Sequence, residues 1–323
     1  MFPSFKVAVL AALVGYPSLP LSPQDRYSEF DAVIRSTREV SQHTRARQIA
    51  DTYDQQFSRN SRPTPLNSLP SSDVVALFRA ASDAAAITKR PSDAKDMATY
   101  LAELEARGLA NMTKIQDTYG ALLETRSFRA AGEFYRLRSP VGWGEIVSLS
   151  PTSHRSTTGY DLLAIPEHGS ELGFSSLDLH KVSQVVVIAH PGCGYTRRAA
   201  TDIEQDQTMR ALFSKHSTWL SAGSRFIGLS DFRTWNREHP DLRMSIAYAP
   251  LQWADVDFWD SPTFLFYKDG RLVQRVVGWP TGGRLGELEA AARKAGLLKP
   301  PTTGQQGLDG APALPHAPRT ARS

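Results

Sequence analysis

The sequence predicts an α/β protein: a mixed sheet with flanking helices, preceded by an α-helical hairpin domain. Three observations carry this. Residues 73–138 hold four stretches with apolar residues at helical spacing, separated by short turns. From Tyr160 the period changes, and short β-branched runs appear instead. One of these, QVVVIA at 184–189, is continuously apolar from Val185 onward, as a strand covered on both faces must be.

In chain order, MFPSFKVAVLAALVGYPSLPLSP reads as a secretory leader over residues 1–22. Lys6 supplies the basic start, and Val7 to Val14 an apolar run too short to span a bilayer. No Ala-x-Ala follows; Gly15, Ser18 and Ser22 are the small residues available for cleavage. The expected location is periplasmic or secreted, with no stable membrane span once the leader is removed. Residues 24–72 hold one or two amphipathic helices, on Phe30, Val33, Ile34, Val40, Ile49, Tyr53 and Phe57, and then a linker from Ser58 to Asp73 rich in Pro, Ser and Asn.

In 73–138, Asp73 is the expected cap of a helix bearing Val74, Leu77, Phe78 and Ala81. Pro91 opens a second, Asn111 a third, and Phe128, Ala131 and Tyr135 mark a fourth. Residues 139–159, rich in Ser, Thr, Gly and Pro, form a connector. Over 160–298 the expected order begins with strands or a hairpin at Tyr160–Ile165 and Leu172–Leu179. The QVVVIA strand and a long helix from Tyr195 to Leu220 come next, then a second buried strand at Arg225–Leu229. The domain closes with a hairpin about Asp269-Gly270 and a helix over Arg284 to Leu297. The stretch Asp231–Asp260 reads as an insertion whose Trp235, Tyr248, Trp253 and Trp259 either shape a groove or add core. Residues 299–323 read as a disordered tail.

Composition narrows the function. The chain has 323 residues, 41% hydrophobic and 22% charged, with a net charge of +4. Its arginines are spread rather than clustered, which argues against a nucleic-acid surface. A single cysteine, Cys193, excludes an internal disulfide framework and every multi-cysteine zinc motif. No His-x-x-x-His pair accompanies it, so no metal is expected. No P-loop, dinucleotide glycine pattern or G-x-S-x-G calls for a cofactor, and Gly282, Gly283 and Gly286 simply open the last helix.

Cys193 follows the apolar strand and precedes a helix, in "IAHPGCGYTRRAATD". A cysteine at a helix start faces unpaired N–H groups and the positive end of the helix dipole, and both favour the thiolate. Arg197 and Arg198 add positive charge, and Gly192 and Gly194 leave the backbone open. His190 either holds the thiolate as an imidazolium or shuttles a proton; otherwise it is an ordinary histidine at a strand end.

Three motifs in order resemble the thioredoxin superfamily, over about residues 159–298. VVVIAHPGCGYT is a strand followed by C-x-x-T at a helix start; SPTFLFYKDG matches the P-T-x-x-x-F-x-x-G stretch; RVVGW supplies a loop glycine. FSSLDLHKVSQVVVIAH is similar to the lead-in of the exported redoxin branch. The resemblance implies a thioredoxin-like fold with Cys193 as nucleophile, Thr196 tuning it, and Pro262 as the cis-proline. Ser261 and Thr263 beside that proline, with Tyr195, Gly192, Gly194, Gly278 and Trp279, would then line a substrate groove. Thr196 replaces the resolving cysteine of that family, so a dithiol cycle within the chain is impossible. Gly192 replaces its tryptophan and Val187 its buried acid, and His190 stands where a peroxiredoxin needs threonine. The implied activity is that of a monothiol oxidoreductase using a protein or glutathione-like thiol. The alternative is a non-catalytic binding or adaptor module in an envelope complex. The helices before it resemble a tetratricopeptide hairpin in Phe128, Ala131 and Tyr135, either a partner-binding groove within 73–138 or plain helical packing.

Overall fold

A computed structural model describes residues 21–57, 64–138, 146–156, 159–180, 183–223, 228–256 and 260–299. Residues 1–20 of the leader, 139–145 and 157–158 of the connector, Trp259 and residues 300–323 of the tail lie outside them.

Six helices form the first half. Ser22 caps α1 (Pro23–Ser36) by accepting from the Asp25 N–H, and Ser41 caps α2 (Gln42–Gln56) through the Thr44 N–H. The two helices turn Phe30, Tyr53 and Phe57 into one ring cluster, with centroids 5.4 to 6.2 Å apart. This cluster seats them on α3 (Ser71–Thr88) and α4 (Pro91–Ala106), where Tyr100 donates its hydroxyl to the Phe57 carbonyl at 3.1 Å. Asp73 is not the cap of α3. The helix starts at Ser71 after the extended Pro70, which puts Asp73 in the first turn, where a carboxylate suits the helix dipole. Asn111 caps α5 (Met112–Glu124), and α6 (Phe128–Arg138) completes the hairpin with Tyr119 and Tyr135 in ring contact at 5.7 Å.

The second half is built on an eight-stranded mixed sheet in the order β1-β3-β2-β6-β5-β4-β7-β8. The strands are β1 (Ser148–Leu149), β2 (Tyr160–Ala164), β3 (Glu171–Leu177), β4 (Gln184–Ile188), β5 (Ser217–Ser221), β6 (Met244–Ala247), β7 (Thr263–Lys268) and β8 (Arg271–Val277). Every residue of β4 is buried. Val185 and Val187 face the large core that continues into the helices, while Val186 and Ile188 face a second cluster with Leu220, Trp253 and Leu265. Strands β4, β5 and β6 run parallel, and β7 is antiparallel to β4. Asp269 and Gly270, both at positive φ, make the tight β7–β8 turn.

Two sequence expectations fail in this half, and a third is settled between its alternatives. The helix expected from Tyr195 to Leu220 is two, α7 (Gly194–Gln205) and α8 (Gln207–His216). Asp206 is extended between them and caps α8 through the Met209 N–H at 2.8 Å. The partner strand of β4 is Ser217–Ser221 rather than Arg225–Leu229. Its Thr218, Trp219 and Leu220 suit a pleated surface, while Leu229 opens α9 (Leu229–Glu238); residues 225–227 lie outside the described residues. The expected insertion supplies α9 and β6, so it extends the sheet, and Trp235 and Trp253 are core. Helix α10 (Leu285–Lys294) packs on β8. Among the described residues no helix is long and apolar enough to cross a membrane.

Beside the shared core, one side chain reaches across from the first half to the second. Arg126, at φ 60° between α5 and α6, donates from Nε to the Tyr248 carbonyl at 3.0 Å. Its terminal nitrogen donates to Ala222 at 2.9 Å and Ala247 at 2.7 Å. These carbonyls lie just at or beyond the carboxyl ends of β5 and β6. Burial, the largest influence, pulls the Arg126 pKa down to about 10 against the opposing pull of Glu124, so the group stays charged at neutral pH.

Candidate functional site

The parallel strands end on one edge of the sheet, and β7 begins there, because Ile188 pairs with Thr263. Two segments therefore meet: the turn from β4 into α7, and the residues before β7.

Cys193 is the N-cap of α7 and is half-buried. Its backbone N–H donates to the His190 carbonyl at 3.0 Å, and its carbonyl accepts from the Arg197 N–H at 3.1 Å. The turn and the first helical turn thus hold the residue from both sides. The thiol lies against the Ser261–Pro262 peptide, which is cis, with Sγ donating to the Ser261 carbonyl at 3.3 Å. Thr196, fully buried one turn into the helix, shares a 2.6 Å hydrogen bond with the Ser261 hydroxyl. Burial pushes the Cys193 thiol pKa up. Hydrogen bonds from the Thr196 backbone and hydroxyl, the Ser261 hydroxyl and the Tyr195 backbone outweigh it, so the pKa falls below the ordinary thiol value. Geometry gives the Thr196 hydroxyl chiefly to Ser261, so its effect on the sulfur is best viewed as that of a paired Thr196–Ser261 hydroxyl cluster.

Of the residues expected at the site, Cys193, Thr196, Ser261 and Pro262 come together. Gly192 and Gly194 are exposed beside the sulfur, and Tyr195 is 57% exposed with the Arg198 guanidinium 4.7 Å from its ring centre. Gly278 lies at φ 78° and donates its N–H to the Pro262 carbonyl at 2.8 Å, which ties the loop after β8 to this proline.

Four expected site residues take partners of their own. The His190 Nδ1 accepts the Gly192 N–H at 3.1 Å, so this nitrogen is engaged by the turn backbone, as in the ordinary strand-end reading. Its ring packs edge-on to Phe232. Arg197 donates Nε to the Pro191 carbonyl at 3.0 Å and so braces the turn. Trp279 is 2% exposed and lines no groove. It packs on Phe264 and donates Nε1 to Asp202 at 2.7 Å, pinning the β8 loop to α7. Thr263 is buried in β7 with its hydroxyl on the Asp260 carbonyl at 2.8 Å.

Sequence reasoning missed the Ser261 hydroxyl and Asp202. Ser261 was legible only as the residue before a proline, and an acid on the face of a helix carries no signal of an indole partner. Among the described residues no group of three or more His, Cys, Asp or Glu side chains is arranged to hold a metal. The arrangement offers one accessible sulfur with its thiolate stabilised by neutral donors.

Set beside known proteins, the chain matches no family model, no curated protein and no solved structure, so its own geometry must carry the functional reading.

Proposed function

We propose that the second half is a thioredoxin-like domain and that Cys193 is a monothiol exchange nucleophile. The observation that carries this is the lowered thiol at the N-cap of α7, held against the cis Ser261–Pro262 peptide and the Thr196–Ser261 hydroxyl pair. The order β4-α7-α8-β5-α9-β6-β7-β8-α10 supports the same reading.

In the proposed reaction the Cys193 thiolate attacks one sulfur of a disulfide R–S–S–R′. A bond forms between Cys193 and the R sulfur as the S–S bond breaks, and R′S⁻ leaves with the electron pair. With a threonine at position 196 and no other cysteine, an external thiol must attack the mixed disulfide to release Cys193. The substrates are protein disulfides or a glutathione-like thiol pair. The leader read at residues 1–22 puts the reaction in the periplasm or outside the cell, where such disulfides persist.

The test is trapping in the full chain. Acid-quenched cells are expected to hold Cys193 in mixed disulfides on non-reducing gels, absent in Cys193→Ser. Iodoacetamide alkylation of the purified protein should have its pH midpoint below that of a free thiol, about 8.5. No adduct under oxidising or reducing conditions, with an ordinary midpoint, would overturn the exchange role and favour a binding module instead.

A further inference from the structure

A second site lies away from the thiol, in the seam between the halves. A cavity of about 340 Å³ opens there between the start of α2, the end of α3 and the loop after β5. That volume is at the small end of ligand pockets, which run from about 300 Å³. Three cations line it, Arg38, Arg45 and Lys89, against one carboxylate, Glu124, whose Oε1 Lys89 engages at 2.9 Å while its Oε2 is buried. Among the described residues, no side chain or carbonyl accepts a hydrogen bond from the Arg38 or Arg45 guanidinium, and the Arg45 Nε is buried. A buried N–H without an acceptor is unfavourable, and native structures rarely leave one so.

The helix geometry points the same way. Arg45 sits in the opening of α2, a helix with no acidic residue in its first turn. A cation there opposes the positive end of the helix dipole, and an anion beside it would relieve both. The remaining wall includes Val40, Ile87 and Pro250, which suit a short apolar body.

We propose that this cavity binds a small organic dianion, of carboxylate or phosphate type, with Arg38 and Arg45 as its ligands. Its other wall is Ala222 and Gly223, and the Ala222 carbonyl is held by Arg126. The bound anion therefore bridges the helical half and the sheet, and binding should stabilise both against separation.

Melting temperature of the full chain, measured with sodium succinate or inorganic phosphate against sodium chloride at equal ionic strength, tests this. A saturable rise of several degrees by 10 mM of either probe is expected. Arg45→Gln and Arg38→Gln should abolish it, while Arg129→Gln, on the exposed face of α6, should retain it. No saturable rise with either probe, or a rise of equal size in Arg45→Gln and Arg38→Gln, would overturn the proposal. Cys193 alkylation plays no part in this readout, so the two sites stand or fall separately.

Discussion

Replacing Arg126 with alanine should be the most informative single change in this molecule. The side chain holds three backbone carbonyls, of Ala222, Ala247 and Tyr248, at 2.7 to 3.0 Å. A hydrogen bond from a charged donor contributes about 1.5–3 kcal/mol in net terms, so three set a gross ceiling of about 5–9 kcal/mol. Against this, the variant no longer takes a guanidinium out of water, a cost of several kcal/mol. Water reaching part of the seam satisfies some of the freed carbonyls. The balance is a loss of about 3 kcal/mol, and Arg126→Lys, which keeps the charge but not the fork, should lose about half as much. Urea unfolding can separate the halves, because none of the six tryptophans lies before residue 143. The four tryptophans among the described residues all lie in the second half, so indole fluorescence is weighted to it, whereas far-UV circular dichroism is weighted to the helices. The two transitions should coincide in the wild type and part in Arg126→Ala, with a lower midpoint for at least one. Coincident transitions and a change below about 1 kcal/mol would refute the clamp.

Thr196→Val should raise the Cys193 pKa and slow alkylation at neutral pH roughly tenfold, the effect of one hydrogen bond to a charged sulfur; Thr196→Ser should restore it, and equal rates would remove Thr196 from the site. Because the folded thiol pKa lies below its unfolded value, the thiolate adds stability above the unfolded pKa and loses it as pH falls through the folded one. Denaturation of Cys193→Ser across this range should lack that slope. Gly223→Ala should cost about 2 kcal/mol in urea denaturation, since Gly223 has φ 76° and a Cβ would lie 3.0 Å from Ile246 and 3.1 Å from Arg126. Asp93→Ala should cost about 3 kcal/mol by the same measurement, because buried Asp93 accepts from Thr88, Ser92 and both Nε and a terminal nitrogen of Arg90; a loss below about 1 kcal/mol would mean that Asp54 alone satisfies Arg90.

Local chemistry explains what could be read from the sequence. The four consecutive apolar residues of β4, Val185 to Ile188, have no other stable place than a sheet interior, and Asp269-Gly270 specifies its turn. Cys193 was readable as a helix start because glycines and a proline surround it. Strand β5 was not: Ser217, Thr218 and Trp219 follow α8 with no glycine or proline between, so helical spacing runs on into them. Strand β6 has four residues, too few for a period to register. The break at Asp206 depends on one capping bond. His190, Arg197 and Trp279 were read as site residues from position alone. Their partners are a backbone N–H, a backbone carbonyl and Asp202, and such pairings exist only once the chain is folded. Nothing in the residues around Arg126 announces its three carbonyls, which come from segments about 100 residues further along.

The place of β6 in the sheet has a kinetic consequence. Strands β2 and β3 form their hairpin from neighbouring residues, but β2 joins the rest of the sheet only through β6, by Leu162 to Ala247 and Leu163 to Ile246. That pairing spans about 85 residues of chain, which includes β4, β5 and the helices between. Closing so long a loop is slow compared with forming a hairpin or a helix. On a ribosome the hairpin emerges early and waits with its inner edge bare until β6 arrives. The docking of β2 on β6, like the comparably long-range pairing of β7 on β4, is thus a late step for this half, and the interval in which such an edge is open is when the nascent chain most needs protection from pairing with another.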